Sequence, residues 1–169
     1  MKIPILTTER LRLRELRLTD VDLMQQILIG KDVLQYFPEY PPFTKAQTEK
    51  MITKKLEQWE QYGHGIWAVE TLENNILIGR CGLGYLPDTD EIEVGYILGR
   101  DFWGKGYATE AAKASLNYGF THLEVNEIVG IVHVDNIGSQ HVLQKIGMSH
   151  TNTKEYFGLP CYRYMAKKY

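Results

Sequence analysis

Cysteine is scarce: the 169 residues contain two, Cys81 and Cys161, far apart in the chain. This rules out the disulfide framework of a small secreted domain and suits a reduced, cytoplasmic protein. No short N-terminal apolar segment resembles a signal peptide, and no run approaches the ~18 apolar residues a membrane span needs. Charge is balanced, with a formal net of -2, so the molecule as a whole offers no electrostatic reason to bind nucleic acid. His133 and His141 have no His, Cys or acidic partner at ligand-type spacing, and no metal is expected. Repeats, low-complexity tracts and linker-like stretches are also missing. One globular domain over residues 1–169 is expected, 44% hydrophobic and large enough for a sizeable core.

What is present is a close succession of periodic segments. Arg10, Leu11, Arg12, Leu13 and Arg14 alternate as in a half-buried strand, with the arginines on a solvated face. Thr19 or Asp20 is placed to cap a helix whose Val21, Met24, Ile27 and Leu28 share one side, with Gly30 as its end. Tyr36, Phe37, Tyr40 and Phe43 fall among three prolines in a stretch too irregular for either period; such a loop can wall a pocket or pack over the next helix. Thr44 and Gln47 form a capping-box pattern before a second helix, which Gly63-His64-Gly65 stops. His64 reads as a turn histidine open to water.

Strand patterns follow at residues 66–71, 76–85 and 91–98, joined by short turns, hence an antiparallel meander. Gly79, Gly82 and Gly84 interrupt its middle strand, where glycine marks a bulge or the close approach of other backbone. A helix over residues 108–123 then leads to a strand at residues 127–134, a natural parallel crossover. Asp135-Asn136 caps a short helix, and two last strands lie near residues 150–157 and 161–166.

The stretch that organises the chain is Trp103-Gly104-Lys105-Gly106-Tyr107-Ala108-Thr109-Glu110, a glycine-rich turn from strand to helix. The first amides of a helix have no partner inside it and sit at the positive end of its dipole, so they suit a phosphate. Gly104 and Gly106 allow close approach, and Lys105 adds a cation or is simply solvated. Gly99 to Lys105 reproduces most of a P-loop, but Gly106 stands where a magnesium-binding Ser or Thr is required. The dinucleotide fingerprint fails at Thr109. A pyrophosphate cradle without an evident metal remains.

Residues 93–111 (E-V-G-Y-I-L-G-R-D-F-W-G-K-G-Y-A-T-E-A), residues 136–148 (N-I-G-S-Q-H-V-L-Q-K-I-G-M) and the opening T-E-R-L-R-L-R at residues 8–14 resemble the GNAT superfamily of acyl-CoA-dependent N-acyltransferases. Within it the chain is most similar to the branch of ribosomal-protein N-terminal acetyltransferases. The fold so implied is a mixed α/β (α+β) one: a central twisted mixed sheet of about six to seven strands, mostly antiparallel, with about four helices packed on it.

The resemblance also implies acetyl-CoA as cosubstrate and an amine acceptor, with a protein N-terminus first and small-molecule amines as the alternative. The enzyme would be a monomer or homodimer. By resemblance, Trp103 to Ala108 and Thr109 carry the pyrophosphate, Trp103 replacing the usual Gln or Arg. Tyr96, Ile97 and Leu98 would pair with the pantetheine arm as an added strand, and Asn136 would contact it. Glu93 corresponds to the branch's base, acting directly or through water, with Glu91 a second candidate on the same strand face. Many members place a tyrosine, the usual general acid, where this chain has Leu143; by resemblance to its counterpart in the similar branch, Ser139 would donate to the departing sulfur. A non-catalytic acyl-CoA-binding module would keep the same turn.

Overall fold

The computed structural model describes residues 1–38 and 43–169. Through them run β1 (Leu6–Thr7), β2 (Leu11–Arg14), α1 (Val21–Leu28), α2 (Lys45–Tyr62), β3 (Ile66–Thr71), β4 (Leu77–Leu86) and β5 (Glu91–Leu98). They continue with α3 (Tyr107–His122), β6 (Glu127–His133), α4 (Ile137–Lys145), β7 (Ser149–Tyr156) and β8 (Leu159–Lys167). The strands form one sheet in the order β1-β2-β3-β4-β5-β6-β8-β7, antiparallel everywhere except between β5 and β6. The strand beyond the expected seven is β1, two residues long and too short to show a period. Tyr40 lies outside the described residues.

Two apolar clusters hold the sheet. One gathers Leu16, Met24, Leu28, Ile52, Ile66, Ala68, Leu77 and Ile97 with α1 and α2. The other joins Leu83, Val94, Leu98, Ile128 and Leu143 to the buried side of α3. Small residues let α3 lie close: Ala111, Ala112 and Ser115 are fully buried, and a Cβ at Gly119 would stand 2.6 Å from Ile128 Cδ1. Ser115 spends its hydroxyl on the Ala111 carbonyl at 3.0 Å. Both cysteines are free and buried.

Two expectations are corrected by burial. Arg14 is 9% exposed and inside the fold, where it donates to both oxygens of Asp20 at 2.9 Å and to Glu70 Oε2 at 2.8 Å. Arg12 reaches the other Glu70 oxygen at 2.9 Å. A buried guanidinium must be compensated, so Asp20 serves Arg14 and the Arg17 amide, and no side chain caps α1. His64 is likewise buried, its Nδ1 2.9 Å from the Leu83 carbonyl and its ring stacked on Tyr62. Burial pushes its pKa below the ordinary histidine value, against the Leu83 hydrogen bond. The turn is drawn inward because Leu83 N–H donates to the Gly65 carbonyl at 2.9 Å.

That contact explains one glycine of the middle strand. A Cβ on Gly82 would stand 2.2 Å from the Gly65 carbonyl oxygen, whereas one on Gly84 would meet nothing nearer than Glu93 O at 4.0 Å. Gly82→Ala is therefore expected to destabilise by about 3 kcal/mol. Gly84→Ala is expected to stay within about 0.5 kcal/mol of the parent. Urea unfolding of the two variants checks the contrast.

Candidate active site at the split in the sheet

β5 and β6 share one register pair, Glu93↔Val129. Beyond it β5 stays paired to β4 as far as Leu98↔Gly79, and β6 to β8 as far as His133↔Cys161. The sheet therefore divides after Glu93, and the last residues of β5 present an edge to the gap. A cleft of about 640 Å³ opens there. That size is ample for a small-molecule or cofactor arm.

Every cofactor-binding residue expected from the sequence lines this cleft except Lys105, and Ser139 lines it too. Gly104 and Gly106 take left-handed backbone, with φ of +73° and +80°. In that conformation the turn brings Tyr107, Ala108 and Thr109 to the first three positions of α3, where their amides are free of helical partners. Lys105 instead sets its ammonium 5.8 Å from the Phe102 ring centroid. Trp103 has a use no motif announced: its indole N–H donates to the Leu98 carbonyl at 2.9 Å, tying the turn to the end of β5. Tyr36 and Phe37 wall the far side, as the aromatic loop allowed, while Phe43 packs against the α1/α2 cluster. Lys145, not singled out from the sequence, and His141, considered there only as a metal ligand, line the cleft from α4.

Asn136 caps α4, its Oδ1 accepting the Ser139 amide at 3.1 Å. This fixes Ser139 in the first turn, where its Oγ lies 2.6 Å from the Tyr96 hydroxyl. Burial pushes the Tyr96 phenol above its ordinary pKa, against the Ser139 hydrogen bond, so it stays protonated at neutral pH.

Glu93 is not a lining residue of the cleft and sits at the root of the split, three positions before Tyr96. An odd spacing along a strand sends the two side chains to opposite faces. Val94 and Tyr96 pack with the α3 cluster, while Ile97, on the Glu93 side, packs with α1 and α2. Burial pushes the Glu93 carboxyl up to about 7 in spite of Lys55 and Arg80, whose charges oppose the shift. Lys55 is itself pushed down to about 8 by burial and by Arg80. Glu91, the second candidate, is ion-paired with Arg163, whose guanidinium helps hold its carboxyl below the usual range against burial. A paired carboxylate is a poor proton acceptor at neutral pH, which leaves Glu93 as the titratable acid.

Among the described residues no group of three or more His, Cys, Asp or Glu could hold a metal, and no helix is long and apolar enough to cross a membrane.

Comparison with known proteins gives this geometry a context. A family profile described as an acetyltransferase (GNAT) domain matches residues 10–149. An N-acetyltransferase of Bacillus licheniformis, p20, is 32% identical over 143 residues, covering 83% of this chain and 80% of the relative. A GNAT-family acetyltransferase structure from Bacillus anthracis superposes with a TM-score of 0.84 at 26% identity, over 98% of this chain and 99% of that one. RimL, a ribosomal L7/L12 α-N-protein acetyltransferase solved with coenzyme A, shares the fold with a TM-score of 0.83 at 19% identity, over 97% and 98% of the two chains.

Proposed function

The chain belongs to the GNAT acetyltransferase family and is an acetyl-CoA-dependent N-acetyltransferase, and from that premise we propose that its acceptor is the N-terminal amine of a protein. The observation that carries the catalytic part is the division of labour across β5. Glu93 reaches one face of the strand, and the Tyr96–Ser139 pair reaches the other, beside the cleft. Attack by the amine forms a C–N bond at the thioester carbonyl and breaks the C–S bond. The proton lost by nitrogen passes to Glu93, and the departing sulfur takes one from Ser139 Oγ, which Tyr96 replenishes; solvent then takes the proton from Glu93 and returns one to Tyr96. Positioning does most of the work, since the reacting atoms need only be held in line.

The acceptor follows from proton chemistry and from likeness. An α-amine has a reference pKa of about 8 and a lysine about 10.4, so a base poised near 7 suits the former. The chain is similar to the ribosomal-protein branch, and the RimL neighbour acts on a protein α-amine. The test is release of free thiol from acetyl-CoA with peptides bearing a free α-amine, N-blocked peptides with an internal lysine, polyamines and amino acids. Turnover confined to the first group is expected. Turnover confined to polyamines or amino acids would overturn the acceptor, and binding of coenzyme A without turnover on any amine would indicate a non-catalytic module.

Ser139→Ala is expected to lower kcat by roughly 10- to 100-fold. Tyr96→Phe should cost less, and the double variant should match Ser139→Ala, because both residues lie on one proton path. Additive losses in steady-state kinetics would show that they act separately.

A further inference from the structure

Lys105 is the cation that the sequence offers to the diphosphate turn, yet the side chain built into the turn is Arg10, 95 positions away on the entry to β2. Its Nη1 donates to the Lys105 carbonyl at 2.8 Å. Its Nε donates to Glu110 Oε2 at 2.7 Å, and its backbone N–H to Glu110 Oε1, also at 2.7 Å. Thr8 Oγ1 donates to that same Oε1 at 2.6 Å. The guanidinium carbon lies 4.4 Å from the Tyr107 ring centroid, and Nη2 would stand 3.2 Å from a Cβ on Gly106. Resting on the acetyl-CoA reading above, we propose that Arg10 is the positioning residue of the diphosphate cradle: it aims the Gly106 amide into the cleft and neutralises Glu110 beside it.

The aiming follows from peptide geometry. A trans peptide is planar, so the Lys105 C=O and the Gly106 N–H point in opposite directions. Holding the carbonyl on the β2 side turns the amide to the other side, toward the cleft that Gly106 lines. Left-handed backbone at Gly104 and Gly106 gives the turn several ways to rotate that peptide, and Arg10 selects one.

The neutralisation follows from charge. Glu110 lies in the first turn of α3, close to where a diphosphate would sit. Burial alone would raise its pKa, but hydrogen bonds from Thr8 and Arg10 outweigh it and keep the group ionised. Without the guanidinium that carboxylate would repel an incoming diphosphate. With it, the helix start remains available to the ligand.

The proposal separates the diphosphate from the rest of the donor, so the experiment does the same. Calorimetry on Arg10→Ala and Arg10→Lys would use coenzyme A, dephospho-coenzyme A and S-acetyl-pantetheine, which lacks the diphosphate. Both variants are expected to bind the first two at least about tenfold more weakly, because a charge-assisted contact and a fixed amide are lost together. Lysine keeps the charge and the fold but cannot reach the carbonyl and the carboxylate at once. Binding of S-acetyl-pantetheine should change by less than about twofold. Coenzyme A affinity unchanged in both variants, or an equal loss on S-acetyl-pantetheine, overturns the proposal in favour of a general scaffold role. A parent protein that binds no coenzyme A removes the premise and the proposal with it.

Discussion

Glu93→Gln is expected to lower kcat by roughly 10²-fold while the dissociation constant for coenzyme A stays within about twofold of the parent. The carboxyl lies on the α2 side of β5 and outside the lining of the cofactor cleft, so its removal should spare ligand contacts. The pH dependence gives a second readout. With the group pushed up to about 7 and an acceptor α-amine titrating near about 8, the parent's kcat/KM should rise about a hundredfold per pH unit below 7, about tenfold between the two values and level off above them, since only the ionised carboxylate and the free amine react. The steeper part of that limb should vanish in the variant, leaving the slope of the acceptor amine alone.

Stability should move the other way. A folded-state pKa raised above the unfolded value stabilises below the unfolded pKa, and this is lost as pH rises through about 7. Above that pH the parent holds an ion that burial disfavours, whereas glutamine stays neutral. Thermal unfolding at pH 8 should therefore find Glu93→Gln at least as stable as the parent. Unchanged turnover, or a parent without the steeper slope below about 7, would reject Glu93 as the base.

Gly106→Val is expected to weaken coenzyme A binding by roughly 10²-fold or more, with the overall fold retained. Three effects combine. A φ of +80° is strained for a β-branched residue, the Cβ would stand 3.2 Å from Arg10 Nη2, and any relief rotates the amide that faces the cleft. Gly104→Ala makes an instructive comparison: its φ of +73° is also left-handed, but nothing lies within 4 Å of the added carbon. A loss of about tenfold or less is expected there. Unaltered affinity in Gly106→Val would count against diphosphate binding at this turn.

At Arg14 and His64 the sequence misled, and burial was the cause in both. Arg14 alternates with leucines as a surface strand would, but β2 is an interior strand and the arginine is enclosed with Asp20 and Glu70 from distant positions. His64 sits between turn-forming glycines, yet a carbonyl of β4 captures it. Lys105 neighbours the cradle in sequence while Arg10 holds it in space, and no periodicity links residues 95 positions apart. The Tyr96–Ser139 pair spans 43 positions and was equally invisible as a pair, although each residue was named.

Local chemistry was legible because it is written locally. Apolar period, capping residues and turn glycines locate four helices and seven of the eight strands among the described residues, and the glycine-rich turn stands out as a candidate anion site from its local sequence. Three spaced motifs were sufficient to indicate the family. Tertiary structure alone decided where the sheet parts, which face of β5 each candidate catalytic side chain takes, and which cation braces the turn. Those outcomes depend on strand register and on charges enclosed together, and both are set by packing between segments that share no local pattern.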